Sequence, residues 1–94
     1  MREKRIETEL SRGVRARGGW ALKLLPSVSG LPDRMVLWPG GKIVFVELKS
    51  PTGTVAPHQT VVHNRLRDLG FEVHVLDDLT VVREWLDEQG PEAL

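Results

Sequence analysis

Asp33-Arg34-Met35-Val36-Leu37-Trp38-Pro39-Gly40-Gly41-Lys42-Ile43-Val44-Phe45-Val46-Glu47-Leu48-Lys49 is the stretch that decides how this chain folds. Pro39-Gly40-Gly41 is a strong turn signal between two apolar runs, so residues 34–38 and 42–49 read as an antiparallel hairpin. With the turn centred on Gly40, Asp33 lies seven residues before it and Glu47 seven after. Antiparallel pairing then sets the two carboxylates side by side. Side chains alternate along a strand, so Ile43, Phe45, Glu47 and Lys49 share one face. An acid and a base on an otherwise apolar face are costly to place. Two adjacent carboxylates repel unless a cation sits between them.

Outward from the hairpin, Ile6, Leu10 and Val14 recur every four residues, and residues 3–17 read as an amphipathic helix that Gly18-Gly19 stops. Trp20 to Leu25 reads as a strand ended by Pro26, and Ser27 to Gly30 as loop. After the hairpin, Ser50 to Ala56 is loop. Residues 57–69 read as a helix with Pro57 at its first position and Val62, Leu66 and Leu69 as its buried stripe. Phe71 to Leu76 is a fourth strand. A last helix covers about residues 79–89, with Leu79, Val82 and Leu86 inward, and Glu92 to Leu94 is expected to fray. The order is α-β-β-β-α-β-α, an α/β class with a mixed sheet flanked by helices.

Ninety-four residues make one domain, 1–94, with a modest core. No apolar run can span a bilayer, and Met1 to Lys4 leads into an amphipathic pattern, not a signal-peptide core. With no cysteine, disulfides, zinc–thiolate clusters and thiol catalysis are excluded, which suits a cytoplasmic protein. Formal net charge is zero, but its distribution is uneven: +4 over residues 1–25, +3 over 26–67 and −7 over 68–94. Such asymmetry can leave one face attractive to phosphates. The three tryptophans, Trp20, Trp38 and Trp85, are expected in the core, with a subunit interface as the alternative.

Oxygen ligands without thiols or clustered histidines point to Mg²⁺ or Mn²⁺ rather than zinc. Such an ion polarises a phosphate and acidifies an attacking water. Asp33 and Glu47 are the candidate ligands, with the backbone carbonyl of Leu48 as a possible third. Lys49 could orient the water or stabilise developing charge. Glu7 flanks the apolar stripe of the first helix and could reach the ion through water; Glu3, one turn earlier, is its rival. Gln59 lies on the inward stripe of the second helix and could hydrogen-bond the site. Lys23, Arg34, Lys42 and Arg65 are candidates for phosphate contacts, as are Arg12, Arg15 and Arg67. His58, His63 and His74 lack ligand spacing and read as surface or boundary residues.

Gly30-Leu31-Pro32-Asp33 with Val46-Glu47-Leu48-Lys49 has the form of the PD…(D/E)xK nuclease signature. Together with Glu7-Thr8-Glu9-Leu10, Gln59 and Leu66-Arg67-Asp68-Leu69-Gly70, it resembles the VRR-NUC domain over about residues 3–78. The resemblance implies a restriction-endonuclease-like core and a metal-dependent endonuclease. Asp33 and Glu47 would hold the metal, Lys49 would assist the water, and Glu7 and Gln59 would complete the catalytic set. The stand-alone phage and bacterial members that the chain resembles act as homodimers on branched DNA, four-way (Holliday) junctions first, in the cytoplasm of a bacterial or phage-infected cell. The alternatives are a nicking or flap nuclease on forked or duplex DNA, or a non-catalytic nucleic-acid-binding module. The acidic tail, Asp77 to Glu92, falls outside the motif.

Overall fold

The computed structural model describes residues 2–25 and 27–93, and the side chains from Lys4 onward. The strand-ending role expected of Pro26 and the rival acid Glu3 therefore lie outside the described residues. The elements are α1 (Arg2–Ala16), β1 (Trp20–Lys23), β2 (Arg34–Trp38), β3 (Lys42–Leu48), α2 (Pro57–Asp68), β4 (Glu72–Leu76) and α3 (Leu79–Glu88). This is the order expected from the sequence.

The sheet runs β1-β2-β3-β4. The first two pairings are antiparallel and the β3–β4 pairing is parallel, with α2 as the crossover between them. The hairpin register pairs Arg34 with Val46 and Trp38 with Lys42. Gly40 and Gly41 both adopt positive φ, 88° and 86°, which the tight turn requires and which side chains disfavour. One step beyond Arg34 and Val46, the same register brings Asp33 opposite Glu47.

One sheet face carries the core. Val36, Val44, Val46, Leu48 and Leu76 meet Ile6, Leu10 and Val14 of α1 and Val82, Trp85 and Leu86 of α3. Each such buried aliphatic side chain contributes about 1.5–3 kcal/mol of hydrophobic stabilisation. Gly13 lets α1 and α3 close together, because a Cβ there would lie 2.2 Å from a Leu86 methyl. The other sheet face is covered by α2 alone, whose main strand contact is β4.

That narrow contact explains three departures from the expected burial. α2 turns Gln59, Val62, His63 and Leu66 inward, so the buried residue of this helix is His63, whereas Leu69, on the flank at the C-cap, is exposed. Trp20 is 65 % exposed on the part of the sheet that α2 does not reach, unlike Trp38 and Trp85, whose rings pack 6.1 Å apart. Nor do Glu92 and Ala93 fray as expected. Ala93 N–H donates to the Ala16 carbonyl, and Arg12 and Arg17 of the α1 end pair with Glu92 and Asp87.

Candidate active site

The open end of the β2–β3 hairpin locks Asp33 and Glu47 together. Glu47 Oε1 accepts from the Asp33 backbone N–H at 3.2 Å, and Asp33 Oδ2 accepts from the Leu48 backbone N–H at 2.9 Å. Each carboxylate thus caps the other's strand. Charge-assisted bonds of this kind fix orientation better than neutral ones. Glu47 is only 2 % exposed, which would be expensive for an anion without several partners.

Two further partners come from β3 and α2. Lys49 Nζ lies 3.2 Å from Glu47 Oε2, on the face the strand alternation requires. Gln59 Nε2 donates to the same oxygen at 3.0 Å. The Gln59 amide cannot flip without loss, because its Oε1 accepts from the Ala56 backbone N–H at 3.0 Å. This is half of a capping box; Ala56, having no side-chain oxygen, cannot supply the other half. The start of α2 and the orientation of the Glu47 carboxylate are therefore set by one side chain.

His63, one helical turn beyond Gln59, is buried and not at the surface or boundary where its lack of ligand spacing placed it. It is 1 % exposed, and its Nε2 has no hydrogen-bond partner among the described residues. Burial pushes its pKa below the ordinary imidazole value, with the charge of Glu47 opposing that shift. A signal was present in the sequence: His63 is four residues from Gln59, hence on its helical face.

On the α1 side, Glu7, Lys23, Asp33, Arg34 and Leu48 line a cleft of about 160 Å³. Glu7 is ion-paired with Arg34, whose other amino group donates to the Asp33 carbonyl at 3.3 Å. Arg34 is 6 % exposed, so it is an internal strut and not the free phosphate contact its sequence position suggested. Lys42 pairs with Glu72 near the turn end of the hairpin, away from the cleft. Arg65 is exposed on α2, across the sheet from α1. Lys23 alone of these four cations lines the cleft with its side chain unpaired among the described residues.

The donor chemistry fits a hard divalent cation. Asp33 Oδ1 carries no hydrogen bond from the described residues, and both carboxylates are held at one hairpin end. Leu48 points its N–H at Asp33, and in an extended strand the carbonyl of the same residue faces the same neighbour. No cluster of three or more His, Cys, Asp or Glu side chains able to hold a metal occurs among the described residues. The set is thus two carboxylates supplemented by main-chain oxygen. Glu7, engaged by Arg34, is suited to a contact through water.

No protein-family model matches the chain. It is 47 % identical over 78 residues to "Putative nuclease p44" of Acyrthosiphon pisum secondary endosymbiont phage 1, a match covering 82 % of this chain and 84 % of that protein. A solved structure described as a VRR_NUC domain superposes with a TM-score of 0.86 at 32 % identity, covering 96 % of this chain and 99 % of that one.

Proposed function

The chain belongs to the VRR-NUC family of nucleases, and from that premise we propose that it is a divalent-metal-dependent DNA endonuclease whose centre is Asp33, Glu47 and Lys49. The observation that carries this reading is the reciprocal locking of the two carboxylates across the hairpin, with Lys49 and Gln59 on the second oxygen of Glu47. Carboxylates held this close without a cation between them repel, and a pure binding module has no use for them beside a phosphate.

When bound, Mg²⁺ or Mn²⁺ supplies Lewis-acid polarisation of the phosphate and acidification of the attacking water. Asp33 and Glu47 would hold it, the Leu48 carbonyl would add a further oxygen, and Glu7 would reach it through water. Lys49 orients the water or stabilises the negative charge that grows on the phosphate. Gln59 keeps Glu47 from rotating. The Gln59→Ala variant is expected to lose about 10- to 100-fold in cleavage rate, the usual cost of removing a group that orients a ligand. An unchanged rate, measured under single-turnover conditions, would leave Gln59 a helix cap only.

The preferred substrate is branched DNA, a four-way junction first, cut by a homodimer in the cytoplasm of a bacterial or phage-infected cell. Two sites related by a twofold axis match the two symmetric cuts that a junction needs. The exposed Trp20, Ile43 and Phe71 on the sheet face that α2 leaves open supply apolar surface for a second copy to cover. A panel of labelled junction, fork and linear duplex with Mg²⁺, Mn²⁺ or EDTA tests the reading. Paired, metal-dependent cuts in the junction are expected. Cutting of fork or duplex alone would reject the junction and keep the chemistry. No cutting by folded protein would reject the enzyme.

A further inference from the structure

Resting on that nuclease reading, we infer that the outer stripe of α1, from Lys4 to Arg15, is the path along which the phosphates of the bound DNA strand leave the cleft beside Asp33. A groove of about 430 Å³ runs along this stripe and shares Glu7 and Arg34 with the cleft around Asp33. The two concavities therefore meet at the Glu7–Arg34 ion pair. Lys4, Thr8, Ser11 and Arg15 line the groove at spacings of four, three and four, which places them on one helical face. The eleven helical steps from Lys4 to Arg15 span about 16 Å, enough to follow several phosphates of one strand. The small hydroxyl residues between the two cations leave room for a backbone to lie against the helix.

Charge pairing elsewhere singles out this surface. Arg12 is held by Glu9 and Glu92, Arg17 by Asp87, Arg83 by Glu9, and Lys42 by Glu72. Lys4 and Arg15 have no acidic partner among the described residues, and neither does Lys23 at the cleft. Arg5, Arg65 and Arg67, also without an acidic partner among the described residues, lie outside the groove. The acidic tail thereby gains an account. It ties up Arg17 and, together with Glu9, Arg12, which lines the same groove, so Lys4 and Arg15 are the groove cations left to steer an anionic strand to the site.

Binding to labelled four-way junction and duplex is measured against salt in EDTA, so that no strand is cut. Lys4 and Arg15 are exposed, so the double variant Lys4→Gln/Arg15→Gln should melt with the wild type. Its log–log salt slope should be shallower by about 2, one for each phosphate that no longer has a cation beside it. Between 50 and 200 mM salt the wild type should then lose about tenfold more affinity than the variant. Lys42→Gln removes the same type of charge off the path and should bind as the wild type does. A wild-type slope in the double variant, or equal weakening by Lys42→Gln, would overturn the path alone, since the wild type would still bind and cut. A wild type that binds no DNA would overturn the nuclease reading and the path together.

Discussion

Replacing Asp33 with asparagine is expected to lower cleavage by at least about a thousandfold, roughly 4 kcal/mol of transition-state stabilisation, while DNA binding stays near wild type. The asparagine oxygen can still accept from the Leu48 N–H, so the hairpin end should keep its geometry. The variant is deprived of an anionic oxygen for the cation. Removing one of two neighbouring negative charges also relieves repulsion, so the fold and the affinity for phosphates should not suffer. Gel-shift and single-turnover cleavage on the same DNA separate the two effects. Cleavage within tenfold of wild type would remove Asp33 from the centre.

Lys49→Met is expected to cost about 10²- to 10³-fold in rate, the scale of removing one well-placed charge-stabilising group. Its signature differs from that of Asp33→Asn. Lys49 neutralises Glu47 across 3.2 Å. Without it, Glu47 keeps Gln59 Nε2 and the Asp33 N–H as partners, and its full negative charge is open to a cation. Metal affinity should therefore rise while the rate falls. Titration calorimetry with Mn²⁺ beside single-turnover kinetics reads both. A variant that loses metal binding and rate together would make Lys49 part of the ion's support and not a partner of the reacting phosphate.

The hairpin was legible in the sequence because its register depends on local chemistry. A Pro-Gly-Gly turn fixes the centre, strand alternation fixes the faces, and Asp33 and Glu47 then have to meet. The stripe Ile6-Leu10-Val14 was legible for the same reason: helical periodicity reports burial when the helix lies on a broad apolar surface. The misjudged residues are those whose environment is set by which sheet face a helix covers. α2 covers little of its face, which leaves Trp20 in solvent and draws His63 inward. Arg34 has the sequence appearance of a surface cation, yet it points to the α1 side of β2, where Glu7 waits; no local pattern encodes that pairing. The fray expected at Glu92 and Ala93 is absent because Arg12 and Arg17 hold Glu92 and the Gly90 carbonyl from over seventy residues away in sequence.

Thermal melting with and without metal tests, independently of any choice of DNA, whether Asp33 and Glu47 hold a divalent cation. A cation that binds only the folded state stabilises it by about 2.7 kcal/mol at a hundred times its dissociation constant. For a domain of this size that raises the melting temperature by about 10 °C or more. The predicted result is a saturable rise with Mn²⁺ or Mg²⁺ in the wild type, reversed by EDTA and absent in Asp33→Asn. An equal rise in both proteins, or none in the wild type, would contradict it.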